Sequence, residues 1–229
     1  MLQGVQRLGV AVSGGADSLV LLDILLSPEL DDLLAGVKIV PLHIGQYDPR
    51  SHLRLSHFIS ETYKLDLHVV RQDTREVAQR LIDRGKAPCR ACAPRRNKAI
   101  GRLSSDLHLD SVAFGHHLTD AVATLLLNIF HEGSTRPLLP VVLRGRGTRR
   151  YRVIRPLYYS AERRIKELSP VGPDGLFDCG SCELYADERE RNRRFVAETF
   201  ERHGQSSDFA RTLLRRLVLA AEGGPVEPR

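Results

Sequence analysis

Hydrophobic residues along the chain fall into two alternating textures: short apolar runs of strand length, and longer stretches with an apolar stripe at helical spacing. Leu8 to Val12, Val37 to Ile44, Leu67 to Val70 and Ser111 to Phe114 are the runs, and they predict buried strands. Between them, Ser18 to Leu26, Arg50 to Tyr63, Thr74 to Arg84 and Thr119 to His131 predict helices, with Asp73 or Thr74 capping the third of these. Pro94 suits the first turn of a further helix that reaches about Asp106. Strands that alternate with helices in this way specify an α/β fold, a doubly wound and mostly parallel sheet with helices on both faces. Ligands of such a sheet bind beyond the carboxyl ends of its strands.

Past Gly133 the pattern changes. Pro137 and Pro140 are expected to break the helix, and six arginines crowd a glycine-containing segment between Arg144 and Arg155. Arg150 and Arg152 alternate with Tyr151 and Val153, which predicts an edge strand with one basic face. Ala186 to His203 and Phe209 to Ala221 predict charged amphipathic helices, and the chain from Gly223 onward reads as a tail.

The most informative segment is Ser13-Gly14-Gly15-Ala16-Asp17-Ser18, placed where the first strand hands over to the first helix. Two glycines let backbone come close to a phosphate, and a helix start supplies unpaired N–H groups at the positive end of a dipole. Ser13 and Ser18 add hydroxyls. The segment lacks the lysine of a Gly-Lys-Ser/Thr nucleotide loop and carries Asp17 instead. A carboxylate beside polyphosphate is repelled unless a divalent cation lies between them, so Asp17 is expected to organise Mg2+. Gly115 and His116 follow another strand end and are expected to close around the same ligand, while Asp120, at a helix start, is a candidate to contact the metal or the target base.

Composition narrows the class. A chain of 229 residues with 42% hydrophobic content supports one substantial domain with a real core. No apolar stretch is long enough to span a bilayer and the first residues lack a signal-peptide pattern, so a cytoplasmic location and no membrane partner are expected. Lys and Arg outnumber Asp and Glu by 34 to 28, a net charge of +6, which favours a polyanionic partner. The expected organisation is a nucleotide-binding α/β domain over 1–160, a C-terminal cysteine-pair and helical segment over 161–222 packed on it, and a tail over 223–229.

The four cysteines form two pairs of the same spacing, Cys89-x-x-Cys92 and Cys179-x-x-Cys182. Two thiolates so spaced converge on one soft metal, and in a reducing compartment this reading outranks a disulfide. An iron-sulfur site, a zinc site using all four thiolates and a redox dithiol all fit the spacing, which does not name the metal.

Taken together, these segments resemble the PP-loop ATP pyrophosphatases, and within them the tRNA-thiolating branch of 2-thiocytidine synthetases. The resemblance rests on the Ser13 to Ser18 loop, Leu21-Leu22-Asp23-Ile24-Leu25, and the Gly85 to Cys92 stretch with Arg95 and Arg96. It continues through Ala113 to Asp120, Leu126 to Phe130, Ile154-Arg155-Pro156-Leu157 and the Cys179 to Cys182 region followed by Arg189, Arg191 and Arg193. It implies a two-stage reaction in which ATP adenylates a pyrimidine carbonyl of tRNA, with cytidine the expected target, and sulfur then displaces AMP. It also implies a 4Fe-4S cluster on Cys89, Cys92 and Cys179, with Cys182 as the remaining candidate, one iron being left open for sulfur. The implied partners are tRNA and a sulfur donor, and the assembly is compatible with a homodimer. The chain departs from the family's pattern at Ile44-Gly45-Gln46 and at Thr119, where acidic residues are usual. A lysidine-synthetase-like ligase and a noncatalytic, zinc-held nucleic-acid binder are the alternatives from other classes.

Overall fold

The computed structural model describes residues 2–45, 51–72, 75–84, 89–146, 149–172, 175–176, 194–196, 198 and 206–221. The strands are β1 (Arg7–Ala11), β2 (Lys38–Gly45), β3 (His68–Arg71), β4 (Ser111–Phe114), β5 (Val141–Arg146) and β6 (Arg149–Ile154). The helices are α1 (Ala16–Leu25), α2 (Ser51–Tyr63), α3 (Arg75–Ile82), α4 (Cys89–Asp106), α5 (Leu118–Glu132), α6 (Glu162–Glu167) and α7 (Ser206–Ala221). The six strands form one sheet in the order β3-β2-β1-β4-β6-β5. All neighbours are parallel except β5 and β6, which pair as an antiparallel hairpin. The expected α/β architecture is therefore present, and its chain order reverses between β1 and β4, the place where a parallel sheet opens a ligand crevice.

Side chains alternate across the sheet as a period of two requires. Leu8, Val10, Ala113 and Ile154 face one core together with α1, α2 and α6, whereas Val40, Leu42, Val112, Tyr151 and Val153 face the other with Ile100 of α4. Helix α1 is apolar on almost every side, and Leu19, Leu21 and Leu22 are fully buried. Such a helix belongs at the centre of a domain, and it carries the Ser-Gly-Gly segment at its start. Residues beyond 160 continue the same packing: Ile165 of α6 joins the α1 core, Leu176 packs against it, and Leu214 and Val218 of α7 pack with Leu118, Leu125 and Tyr158.

Several local expectations need correction. Helix α4 begins at Cys89, so both cysteines of the first pair lie inside it and Pro94 sits in its interior. Proline there cannot donate to the carbonyl of Arg90, an interruption that a start at Pro94 would have avoided. Helix α5 ends at Gly133, whose left-handed φ of 59° terminates it before either proline is reached. Strand β6 is not an edge: β4 and β5 flank it, and β5, unforeseen in the sequence, is the edge. Arg150 and Arg152 do share one face of β6, opposite the buried Tyr151 and Val153, as the alternation predicts, but the hairpin as a whole is basic on both sides. Arg152 pairs across from Leu143 and Arg150 from Gly145, while Arg144 pairs with Tyr151, so the arginines are shared between the two faces of the hairpin. Arg152 also aligns with Ser111 at the amino end of β4, which puts the arginine-rich tip at the opposite end of the sheet from the Ser-Gly-Gly segment. The C-terminal tail lies outside the described residues, as does most of the expected 186–203 helix, of which 194–196 and 198 are helical. Among the described residues no helix is long and apolar enough to cross a membrane.

Candidate nucleotide site

The ladder between β1 and β2 extends one residue past the strand, with Val12 N donating to Leu42 O at 2.8 Å. His43, buried on β2, fixes the other side of the same residue, its Nδ1 lying 2.8 Å from Val12 O. A carbonyl only accepts, so Nδ1 carries the hydrogen. The chain then turns sharply through Gly14, at φ 97°, and Gly15 caps α1 in an extended conformation. Ser13 and Ser18 tie this turn together. Ser13 N donates to Ser18 Oγ at 3.1 Å, Gly15 N donates to Ser13 Oγ at 3.3 Å, and Ser18 Oγ donates to Gly15 O at 2.8 Å. The two hydroxyls are 3.1 Å apart, and because Ser18 spends its one hydrogen on Gly15 O, Ser13 is the donor between them. The amides of Ala16 and Asp17, first in the helix, have no intrahelical acceptor. They form the anion-facing part of the loop, where the helix terminus is worth ~0.3–1 kcal/mol to a negative charge.

The end of β4 closes on this loop from the side. Ala11 and Phe114 are register partners. A Cβ at Gly115 would lie 2.8 Å from Asp17 O and 3.0 Å from Ser18 N, so only glycine allows the β4 exit to approach the start of α1 so closely. Gly115 thus meets the backbone of the loop, and His116 next to it stacks on Phe114 at 5.5 Å. His117 has no exposed side-chain surface, and its Nε2 stands 3.6 Å from Asp17 Oδ2 and 3.5 Å from Asp120 Oδ2. Asp120 Oδ2 also accepts from His117 N at 3.1 Å, which caps α5. Burial by itself would lower the His117 pKa, but the Asp17 contact and the charges of Asp120, Asp17 and Glu162 outweigh it and raise the value. His117, biased toward its charged form, thus links α1 and α5 through Asp17 and Asp120. The other oxygen of Asp17, Oδ1, is buried and accepts no hydrogen bond among the described residues. An orphaned carboxylate oxygen beside an anion cradle fits a divalent cation, which would satisfy it.

Helix α4 ends next to the amino ends of the strands, where Asp110 N donates to Arg7 O at 3.0 Å. At 1.5 Å per residue its 18 residues span about 27 Å, so its first turn reaches back to the carboxyl side of the sheet, the side of the Ser13 to Ser18 loop. Cys89 and Cys92 lie in that turn, three residues apart and hence on one helix face. Cysteine is the donor type a soft metal takes. Cys179 and Cys182 lie outside the described residues. The chain leading to them is anchored on the loop: Leu176 N donates to Gly14 O at 2.9 Å.

The site therefore unites Ser13, Gly14, Gly15, Ala16, Asp17, Ser18, Gly115 and Asp120, with His116 alongside. Sequence reasoning did not assign roles to His43, to the His117 link or to the Gly175–Leu176 contact. A histidine ending an apolar strand run, and the His-x-x-Asp spacing of a capped helix start, were the available signals for the first two. Nothing local marks the third.

A strand-to-helix glycine loop at the reversal point of a parallel sheet, with a carboxylate in place of the usual lysine, defines an α/β protein built to hold phosphates. A family model described as the PP-loop domain matches residues 3–171, and the chain belongs to that family. It is 31% identical over 203 residues to a tRNA-cytidine(32) 2-sulfurtransferase of Nitrosospira multiformis, the match covering 88% of this chain and 65% of that protein. It is 30% identical over 220 residues to the protein of the same name from Methylococcus capsulatus, covering 95% of this chain and 75% of the relative. The chain thus spans about two thirds to three quarters of the length of these curated relatives. Its fold matches that of the U34-tRNA thiolase NcsA from Methanococcus maripaludis, solved with its 4Fe-4S cluster, at a TM-score of 0.71 and 19% identity over 94% of this chain and 74% of that one.

The two buried histidines of the site have opposite linkage to pH. His43 is depressed chiefly by burial, partly offset by its bond to Val12, with the charge of His52 adding to the depression. Its contribution to stability is complete above the ordinary value of about 6.5 and is lost as pH falls through the folded value. His117 is raised, so its contribution is complete below about 6.5 and is lost as pH rises through the folded value. Urea midpoints measured from pH 5 to 9 are expected to show His117→Gln destabilised by about 1.5–3 kcal/mol at pH 6. That deficit shrinks toward pH 9, while His43→Gln shows a shallower loss than the parent between pH 7 and 5. A pH-independent deficit in His117→Gln would contradict the charged link.

Proposed function

We propose that the chain is an ATP-dependent tRNA sulfurtransferase that activates the C2 carbonyl of a pyrimidine, cytidine in the first instance, and replaces its oxygen with sulfur. The reading is carried by the phosphate loop at the carboxyl end of the sheet, and supported by the length and direction of α4, whose first turn holds Cys89 and Cys92 and is expected at that same end. It is supported by the Leu176 anchor, which leaves two residues of chain, three Cα steps or about 11 Å at full extension, between the loop contact and Cys179. The names of the Nitrosospira and Methylococcus relatives supply the reaction class.

In this reading the loop from Ser13 to Ser18 holds the ATP phosphates through its amides, chiefly those of Ala16 and Asp17, while the hydroxyls of Ser13 and Ser18 brace the turn from within, and Asp17 presents Oδ1 to Mg2+. The pyrimidine oxygen attacks the α-phosphorus, an O–P bond forms, and pyrophosphate leaves with its charge held by the loop and the metal. Sulfur then bonds to C2, the C–O bond breaks, and AMP departs. Asp120, buried and committed to His117, acts by holding that histidine and the start of α5 against Asp17. His116, at the mouth beside Phe114, lines the nucleotide. Cys89, Cys92 and Cys179 would hold a 4Fe-4S cluster, with Cys182 the remaining candidate, and the cluster when bound supplies an open iron position for sulfur. The remaining partners are a sulfur donor and a second copy of the chain, and the expected compartment is the cytoplasm.

Nucleosides from tRNA of cells with and without this protein, analysed by mass spectrometry, test the reaction. A thiolated pyrimidine present only in cells with the protein, and lost with Cys89→Ala, is expected. Cys89→Ala should lose iron and sulfide after anaerobic purification while still binding ATP. An unchanged nucleoside profile, or colourless iron-free parent protein, would contradict the proposal.

A further inference from the structure

The loop that opens α1 contains a peptide unit between two glycines, Gly14 and Gly15, and no Cβ on either side limits its rotation. Which way that unit faces decides where the Gly15 N–H points, because carbonyl and N–H of one trans peptide point in opposite directions. Within the loop, Ser13 Oγ accepts that N–H at 3.3 Å, a long bond. The carbonyl side has a firmer partner from far along the chain, Leu176 N at 2.9 Å.

Gly175, the residue before it, explains how the chain comes so near. Its φ is +73°, and a Cβ there would stand 2.6 Å from Ala16 N, 2.7 Å from Gly14 O and 2.8 Å from Gly15 C. Those three atoms belong to the turn that precedes α1, so the two backbones are in direct contact. Gly175 N is itself placed by Gly172 O at 3.3 Å, and the Leu176 side chain packs on the α1 core. A side chain at 175 would be strained in its backbone and would collide with the loop.

We propose that Gly175 and Leu176 are positioning residues that preset the Gly14–Gly15 peptide for the phosphates of the nucleotide. The proposal rests on the reading of Ser13 to Ser18 as the ATP loop. The contact also means that order in the loop depends on the segment that continues toward Cys179. Without the Leu176 N–H the glycine peptide samples several orientations, and nucleotide binding must select one of them, which lowers apparent affinity by the fraction of competent loops.

Calorimetric titration of ATP with Mg2+ into the full chain tests this with three variants. Leu176→Pro removes the N–H, Gly175→Ala pushes the segment off the loop, and Leu176→Ala keeps the N–H while losing the packing. The first two are expected to weaken ATP binding at least fivefold, and Leu176→Ala to stay within twofold of the parent. A merely structural role would weaken Leu176→Ala as much as Leu176→Pro, and that result would overturn the proposal. So would parent-like affinity in Gly175→Ala, which carries the comparison should Leu176→Pro fail to fold, or a parent that binds no ATP. Absence of tRNA thiolation with ATP binding still dependent on the Leu176 amide would remove the proposed reaction and leave the positioning role standing.

Discussion

One constraint organises the molecule: the four-residue turn between a buried strand and a buried helix, with the start of that helix, must present amides to an anion without the support of side-chain bulk. Backbone so arranged is unstable by itself, because glycine is conformationally free and each unpaired amide wants a partner. The fold answers by touching the loop with backbone from several directions. Val12 is held by Leu42 and His43, the start of α1 is met by Gly115, and Gly14 is met by Leu176. Glycine recurs at these contacts since any Cβ would intervene at under 3 Å. The apolar α1, enclosed by the sheet, α2 and α6, keeps the far end of the element still.

Electrostatics impose the second requirement. Asp17 stands at a helix start that favours negative charge, and a polyphosphate arriving there adds more of it. His117, held between Asp17 and Asp120 and biased toward its charged form, offsets part of that repulsion, while the buried Asp17 Oδ1 accepts no hydrogen bond among the described residues. A cation at Oδ1 and His117 at Oδ2 would let one carboxylate serve both the ligand and the α1–α5 junction. The arginine-rich hairpin contributes little to this field, since it lies at the opposite end of the sheet.

Much of the architecture was legible because its signals are local. Apolar runs such as Ser111 to Phe114 match strands to the residue, and the glycine turn after Leu8 to Val12 announced the phosphate loop. What escaped depended on tertiary contact. The hairpin of β5 and β6 was obscured because its arginines mask the alternation of Tyr151 and Val153 with their neighbours, and pairing in the sheet rather than composition decides which strand is the edge. The start of α4 was displaced by trust in Pro94 as a first-turn residue. His117 was assigned no role, because its contact with Asp17 comes from another helix and leaves no local signal. Gly175, in a loop 160 residues from the turn it touches, has no periodicity to betray it.

The account stands or falls on where the phosphates lie. A crystal structure of the protein with a nonhydrolysable ATP analogue and Mg2+ measures this directly. The phosphates are predicted against the amides of Gly14 to Ser18 with the metal on Asp17 Oδ1, and His117 still between its two carboxylates. Phosphates bound at the arginine hairpin, or a metal ligated without Asp17, would contradict it.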